Sequence, residues 1–451
     1  MNDQSERKSF YMNVFALVLP MALQNLINAG VTAADVVMLG NLSEVALSGV
    51  SLANQVTFIM MLATFGLTSG ASVLMAQYWG KKDRTSLEKV LAMTLAISIC
   101  LGLLFEFAGV SFSRPLLRVF SNEPGVIENG AAYIRILALS YVFTCFSSAY
   151  LNILRSLEQV VISTVVYGIS LVVNITLNYG LIFGHFGLPA LGVTGAALAT
   201  VTARMVEFGI SAAHLAFFNR QIKLRLRHLF FWDRFLAHDF MVYSVPVLAN
   251  ELFWGSGMST VSGIIGHIGS AMVAANSVIG VMRQLSTVVS FGLANATAII
   301  IGKTLGAGDA RMAKVYGGRL LRLTVIIGIC AGLLTLAISP LIATHMAFTP
   351  EAAAHFRGMA IIAGSYFVLF QCYNATIIVG VLRGGGDTKF GMYVDIATLW
   401  CVAITFGSLA AFYWKLPVLA VYAILTCDEV IKIPLSTWGY FRYRWLRDVT
   451  R

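Results

Sequence analysis

Twelve apolar runs, each long enough to cross a lipid bilayer, take up most of the sequence. A helix rises about 1.5 Å per residue, so about 20 apolar residues span a hydrocarbon layer of roughly 30 Å. Soluble domains carry about 25% charged residues, whereas this chain of 451 residues has 12% and is 58% hydrophobic. The sequence therefore predicts an all-α polytopic membrane protein with twelve transmembrane helices. The runs lie at 10–39, 46–79, 87–110, 127–153, 160–184, 191–218, 239–266, 270–302, 312–340, 354–381, 390–414 and 417–440.

Positive charge is distributed unevenly between the two sets of loops. With the amino terminus placed in the cytoplasm, the inner loops and helix ends hold 24 of the 31 Lys and Arg residues. The outer side holds four, which are Arg114, Arg118, Arg357 and Lys415. Because cytoplasmic loops carry an excess of Lys and Arg, both termini are predicted to be cytoplasmic. The basic residues form no stripe interleaved with aromatic residues, so no nucleic-acid partner is indicated.

The two halves of the chain repeat each other without gaps over a long stretch, at an offset of 226 residues. Two halves of six spans with the same orientation form a parallel repeat, an architecture of secondary transporters with a cavity between pseudo-symmetric lobes. The predicted organisation is an amino-terminal lobe (1–218), a cytoplasmic linker (219–238) and a carboxyl-terminal lobe (239–451). Equivalent positions include Pro20 and Pro246, Gly40 and Gly266, Gly80 and Gly306, and Asp83 and Asp309.

Several motifs, taken in their order and spacing, resemble the multidrug and toxic compound extrusion (MATE) family, and the bacterial NorM- and DinF-like transporters in particular. They are the early Pro20 and Asp35, NITLNYGLIFG at 174–184, LPALGVTGAALAT at 188–200 and LRGGGDTKF at 382–390. The resemblance covers nearly the whole chain. It implies two six-helix lobes and cation-driven export of amphipathic, often cationic, compounds. The expected location is the bacterial inner (cytoplasmic) membrane, and the expected state is a monomer in the lipid bilayer.

Asp35 is the acidic residue of the first span, and it is predicted to meet three polar residues at one depth. Helical rise places Asp35 roughly 8 Å from the outer surface, and Asn178, Thr200 and Asn174 at roughly 10 to 16 Å. Asn174 and Asn178 are four residues apart and share a helix face. A carboxylate with amide and hydroxyl oxygens can hold a proton or a sodium ion; the alternative is a carboxylate that simply reaches water. In the MATE family the amino-terminal cation site resembles this set, with an Asp usually at the position of Asn178.

A second acidic position at membrane depth is Glu251 in the seventh span. Helical rise brings Asn374 of the tenth span and Arg283 of the eighth to a similar depth, so Glu251 is predicted to face Arg283 or the cavity. A fixed ion pair and a coupling role remain equally open. In the NorM-like branch an acid is expected in the seventh span, which Glu251 matches, and another in the tenth, where this chain has Asn374.

Other charged residues at depth are expected to pair with each other for structural reasons, because opposite charges three or four residues apart on a helix can satisfy each other. They are Arg204, Glu207, Asp395, Asp428, Glu429 and Lys432. Thioethers and the faces of aromatic rings suit apolar cations. A set of methionine, aromatic and polar residues is therefore predicted to line a substrate cavity. It comprises Met21, Gln24, Met61, Tyr141, Phe253, Met282, Arg283, Tyr366, Phe370 and Gln371.

The preferred functional hypothesis is an antiporter that exports amphipathic or cationic organic compounds in exchange for an inward cation. A proton is favoured over sodium, because the Asp35 set offers one formal negative charge, and no other cofactor or metal site is expected. A flippase for lipid-linked precursors, from the same superfamily, is the first alternative. The second alternative is an intramembrane enzyme, which needs a nucleophile and a base at one depth, and the sequence offers no such set.

Overall fold

The structure is a computed structural model that describes residues 3–450, apart from positions 41, 43, 121, 122, 220, 226, 231 and 347. Within these residues all regular secondary structure is helical. The helices are α1 (Asp3–Gly40), α2 (Glu44–Lys81), α3 (Arg84–Ser111), α4 (Ser113–Arg118), α5 (Pro124–Ala138), α6 (Tyr141–Ser156), α7 (Val160–Phe183), α8 (Val193–Ala213), α9 (Arg227–Phe230), α10 (Arg234–Ile268), α11 (Ser270–Gly306), α12 (Ala310–His345), α13 (Pro350–Ile362), α14 (Val368–Ala375), α15 (Thr388–Ile396), α16 (Thr405–Ser408), α17 (Val418–Leu425) and α18 (Asp428–Phe441).

Segments of wider π-helical backbone continue several of these helices. They occur mostly in the second half of the chain, where they join α13 to α14 and extend α14 and α15. Insertions of this kind in α-helices are frequent at functional sites. The segments are His214–Phe218, Ala363–Phe367, Thr376–Leu382, Ala397–Ile404 and Leu409–Tyr413.

The described helices account for the predicted spans. Nine continuous helical stretches of the described residues, some of which include the π-helical segments, are long and apolar enough to cross a membrane. The pair α5 and α6, bent by 56°, makes a tenth when it is counted as one span. The remaining two predicted spans correspond to α10 and to the successive helices α17 and α18. The prediction of an all-α polytopic membrane protein is therefore confirmed.

The chain forms two compact units. The amino-terminal unit contains Leu23–Met75 and Asp83–Leu248, and the carboxyl-terminal unit contains Met1–Ala22, Ala76–Lys82 and Ala249–Arg451. In the amino-terminal unit, buried apolar residues of α2, α5, α6 and α8 form one core, with Tyr141 among its largest fully buried members. In the carboxyl-terminal unit, a comparable core joins α10, α11, α13 and α17.

The aspartates shared by the two halves are helix N-caps. Asp83 Oδ1 accepts from the backbone N–H of Ser86 at the start of α3, at 3.1 Å. Asp309 Oδ1 accepts from the N–H of Met312 at the start of α12, at 2.8 Å. Such a cap contributes about 1 kcal/mol, so the repeated aspartates are explained by local helix initiation.

The glycine-rich turn at 384–386 is shaped by the chain that follows α18. A Cβ atom on Gly385 would lie 2.1 Å from the carbonyl oxygen of Trp445, and Trp445 is fully buried. Gly386 has φ +89°, a conformation that L residues rarely adopt. The turn is therefore a packing site for the carboxyl-terminal segment.

The carboxyl-terminal segment is fixed by one buried side chain, Gln77 near the end of α2. Its Nε2 donates to the carbonyl oxygens of Arg447 at 3.1 Å and Gly384 at 3.4 Å. Its Oε1 accepts from the backbone N–H of Val449 at 2.7 Å. All of these residues belong to the carboxyl-terminal unit, and the amide of Gln77 therefore joins the end of α2 to the carboxyl-terminal segment and to the glycine-rich turn.

Candidate ion-coupling sites

The predicted polar set of the amino-terminal unit forms one connected cluster. Asn178 donates from Nδ2 to Oδ1 of Asp35 at 2.5 Å and to Oδ1 of Asn174 at 3.1 Å. Asn174 donates to Oγ1 of Thr200 at 3.3 Å, and Thr200 also shares a hydrogen bond with Tyr133. Both asparagines and Tyr133 are buried. Side chains from α1, α5, α7 and α8 therefore converge on one carboxylate.

Close packing of α7 against α8 sets this geometry. A Cβ atom on Gly195 would lie 2.4 Å from the carbonyl oxygen of Leu181, so only glycine allows the two backbones to approach so closely. The N–H of Leu191 also donates to that carbonyl, at 2.8 Å. The approach brings Thr200 of α8 within hydrogen-bond distance of Asn174, which lies one helical turn from Asn178 on α7.

One acceptor in the cluster is left without a donor. Asn178 Oδ1 is buried and has no hydrogen-bond partner among the described residues. A cavity of about 10 Å³ lies beside Asn174, which is room for about one water molecule. A buried acceptor next to a carboxylate favours an added proton or cation, because an unsatisfied acceptor costs about 1 to 3 kcal/mol. The cavity is lined by Asn28, Val31, Tyr167, Ser170, Asn174, Ala203 and Arg204.

The charges nearest to this cluster cancel each other. Arg204 Nη1 lies 2.7 Å from Oε2 of Glu207, which is fully buried, so the expected pairing three residues apart on α8 is confirmed. Arg204 also interacts electrostatically with Asp35. With Arg204 and Glu207 neutralising each other, Asp35 supplies the one excess negative charge of the cluster.

Glu251 pairs with a different arginine from the one predicted. Its Oε1 lies 3.0 Å from Nη2 of Arg383, and both side chains are largely buried. Arg283 instead lies over the ring of Phe367, with 4.3 Å between the guanidinium carbon and the ring centroid. Of the two predicted surroundings of Glu251, Arg283 or the cavity, the first was wrong, because helical rise gives the depth of a residue but not the direction in which its side chain points.

Asn374 belongs to a second buried network. Its Nδ2 donates both to the backbone carbonyl and to Oε2 of Glu429, each at 2.8 Å. Its Oδ1 accepts from the hydroxyl of Ser436 at 3.0 Å. The amide of Asn374 therefore joins α14 to α18. In place of the acid expected in the tenth span, the carboxylate beside this amide is that of Glu429 on α18.

Lys432 stands at the centre of this network. Its Nζ lies 2.9 Å from Asp428 Oδ2, 3.3 Å from Asp395 Oδ1 and 3.5 Å from Glu429 Oε1. Asn250 donates from Nδ2 to Asp395 Oδ2 at 3.0 Å. The predicted pairings of Lys432 with Asp428 and with Glu429, four and three residues away on α18, are thus confirmed. However, three carboxylates share the one ammonium group.

Three side chains of these clusters were missed by the sequence reasoning: Tyr133, Asn250 and Ser436. Tyr133 and Ser436 are common types in apolar helices and give no signal of their own. Asn250 does give one, because it is an amide directly before Glu251 in the middle of an apolar run. Its partner, Asp395, is 145 positions away, so only the fold reveals the pairing.

The residues predicted to line a substrate cavity lie in different surroundings. Met61 and Phe253 are exposed, whereas Gln24 is buried and donates to the carbonyl of Val160 and the hydroxyl of Thr164. Tyr141 is also buried. The other buried members are Met21 and Met282, and the half-buried members are Arg283, Tyr366, Phe370 and Gln371.

Long apolar helices with buried carboxylates and amides are typical of one class of proteins, the multi-pass membrane transporters. The MatE family model matches residues 20–180 and 246–409, which is more than half of the chain and includes both repeats. The protein therefore belongs to the MatE family, whose members are transporters and not enzymes.

Curated relatives and solved structures resemble the chain over nearly its whole length. "Probable multidrug resistance protein YoeA" of Bacillus subtilis is 24% identical, covering 100% of this chain and 97% of the relative. "Probable multidrug resistance protein NorM" of Rhizobium meliloti is 27% identical, covering 97% and 93%. A crystal structure of MATE in complex with MaD3S has a TM-score of 0.87 at 19% identity, covering 96% of each chain. The prediction of the twelve-helix, two-lobe fold is confirmed.

Proposed function

We propose that this protein is a proton-coupled antiporter that exports amphipathic or cationic organic compounds across the bacterial cytoplasmic membrane, with both termini in the cytoplasm. The observation that carries the proposal is the hydrogen-bonded cluster of Asp35, Asn178, Asn174 and Thr200. An ionisable group at membrane depth is costly and is retained for ion pathways and proton relays. Asp35 is the titrating group, and the two amides and the hydroxyl hold it in place.

The choice of a proton over sodium follows from the charges around Asp35. A sodium ion exchanges its hydration shell for several oxygens and is held best by more than one negative charge. Here one carboxylate is in excess, since Arg204 and Glu207 neutralise each other. A proton needs only one carboxylate oxygen, and the acceptor Asn178 Oδ1, without a donor in the described part of the chain, can receive the resulting O–H after the amide turns over.

Protonation also changes the contacts of α1. The ionised carboxylate of Asp35 attracts the N–H of Asn178, and a charge-assisted hydrogen bond is roughly twice as strong as a neutral one. Adding the proton removes this charge and weakens the connection between α1 and α7. Loading and release of a proton at Asp35 thereby give the amino-terminal unit two states with different helix contacts.

The substrate class is supported by the names of three relatives that match the chain along nearly its full length, each of which is named as a probable multidrug resistance protein. The excess of Lys and Arg in the alternate loops supports cytoplasmic termini. We further propose that the protein works as a monomer in the bilayer.

Transport in reconstituted vesicles tests the coupling ion. In sodium-free proteoliposomes, a pH gradient alone should drive exchange of a fluorescent organic cation, and a protonophore should abolish it. Asp35→Asn should remove this exchange, whereas Glu128→Gln, which alters an exposed ion pair with Arg114, should not. Exchange that stays silent until sodium is added, and then ignores the protonophore, would overturn the assignment.

A further inference from the structure

The network around Lys432 contains more negative than positive charge. Asp395, Asp428 and Glu429 share the ammonium group of Lys432, whose side chain is 3% exposed. The neighbouring Glu251 interacts electrostatically with Asp395, but its own charge is matched by Arg383. Four acids against two bases leave two negative charges in excess. Uncompensated buried charges are strongly destabilising, so full ionisation of the network is unfavourable.

Among the described residues, two further basic groups lie on or against the elements around the network: Arg283, over the ring of Phe367, and the exposed Lys389 of α15. Neither forms an ion pair with a carboxylate of the network in the described part of the chain. Helix α18 packs against α14, α15 and the π-helical segments at 363–367, 376–382 and 397–404. From these elements and the turn before α18 come Cys372, near Glu429, and Cys427, near Asp428. Tyr366 and Tyr373 bond Thr426 and Thr437 of the same region. The excess can therefore be relieved by a proton on one of the carboxyl groups.

A second, independent observation indicates which carboxyl group takes the proton. Asn250 is more than nine-tenths buried, and its Nδ2 donates to Asp395 Oδ2. Its Oδ1 has no hydrogen-bond partner within the described ranges. When this amide is turned over, it presents Oδ1 to Asp395 instead, where it can accept from a protonated carboxyl group. Asn250 can therefore bond Asp395 with or without the proton, whereas the Oδ1 of Asn374 is already held by Ser436.

Asp395 is also the carboxyl group best placed to exchange that proton. Asp428 holds Lys432 more closely, at 2.9 Å against 3.3 Å for Asp395. The carboxylate of Glu429 accepts one hydrogen bond from Asn374, which also donates to the backbone carbonyl of the same residue. The side chain of Asp395 is 15% exposed, against 10% and 9% for Asp428 and Glu429, so it is the least enclosed of the three carboxyl groups.

We propose that Asp395 is a proton-exchange site of the carboxyl-terminal unit, held by the Asn250 amide and the Lys432 ammonium. When a proton binds, an O–H bond forms on the carboxylate of Asp395. This O–H donates to Asn250 Oδ1 after the amide turns over. The arrangement parallels Asn178 with Asp35, where an amide also donates to a carboxylate and keeps an acceptor without a donor in the described structure. A metal ion is disfavoured, because the ammonium group occupies the point on which the carboxylates converge.

This inference extends the proposed proton coupling, and it is tested without any transported compound. Infrared difference spectra of the purified protein are recorded between mildly acidic and mildly alkaline pH, in the region of the protonated carboxyl C=O stretch. Asp395→Asn should lose one pH-dependent signal that is retained in Asp35→Asn and in the control Glu128→Gln. Its thermal stability should match or exceed that of the unmodified protein, since one excess charge is removed.

Identical difference spectra for the unmodified protein and Asp395→Asn would overturn the proposal, as would a carboxyl signal that does not respond to pH. Should Asp395→Asn fail to fold, Asp395→Glu carries the test, because it keeps a carboxyl group in altered surroundings. Its signal should persist at a shifted frequency, and an unshifted signal would assign the proton elsewhere. If the unmodified protein shows the Asp395 infrared signal but no exchange in vesicles, the proposed antiport is wrong and the proton site at Asp395 stands.

Discussion

Glu251 and Arg383 form an ion pair within the carboxyl-terminal unit, with 3.0 Å between Oε1 and Nη2 and little of either side chain exposed. Removing one partner of such a pair leaves the other charge buried, a loss of about 3 to 5 kcal/mol. Glu251→Gln should therefore lower the thermal unfolding temperature in detergent markedly. Glu128→Gln, which alters the exposed pair with Arg114, should change stability by about 1 kcal/mol or less. Equal stability of the two variants would contradict a structural role for Glu251.

Asp35→Asn should abolish drug resistance conferred on an efflux-deficient host. The amide keeps the size of the side chain and can still hydrogen bond Asn178, but it cannot gain or lose a proton. Membrane abundance and thermal stability should stay close to those of the unmodified protein, since no charge is left without a partner. Normal resistance at equal abundance would contradict the role given to Asp35.

Gly195→Ala should separate α7 from α8 and disturb the Asp35 cluster without touching it directly. The new Cβ atom would lie 2.4 Å from the carbonyl oxygen of Leu181, and overpacking of this kind costs about 1 to 3 kcal/mol. Gly209→Ala, on the same helix, is the matched control, since nothing lies within 4 Å of its added Cβ. Transport and thermal stability should fall in the first variant and be retained in the second.

Asp233, which lies in the linker outside the membrane spans, forms a pH-dependent contact with Lys89 near the start of α3. Hydrogen bonding from Lys89, at 3.0 Å, lowers the pKa of Asp233 below its ordinary value of 3.8. Because the pKa of Asp233 is lower in the folded than in the unfolded protein, the contact stabilises the fold at any pH above the unfolded pKa. This stabilisation is lost as pH falls through the pKa of the folded state. Because both side chains are about a third exposed, it amounts to roughly 1 kcal/mol or less. The stability difference between Lys89→Met and the unmodified protein should accordingly vanish in acid.

The sequence predicts the fold well because the bilayer permits few structures. Satisfying the backbone in lipid requires helices of known length, so apolar runs can be counted directly. The depth of Asp35, Asn174 and Asn178 follows from helical rise, and the structure does bring these residues together. The partner of Glu251 and the carboxylate beside Asn374 could not be predicted in the same way. They depend on the rotation of each helix and on contacts between residues far apart in sequence, such as Asn374 with Glu429.

The contacts of Gln77 bear on how this protein is best handled in the laboratory. The backbone N–H of Val449 donates to Gln77. Trp445, four residues before Val449, packs against Gly385. An affinity tag or fluorescent reporter fused directly behind this segment would pull on the anchored residues and strain the turn at 384–386. A flexible glycine and serine spacer between the last residue and the fusion partner would leave these contacts intact.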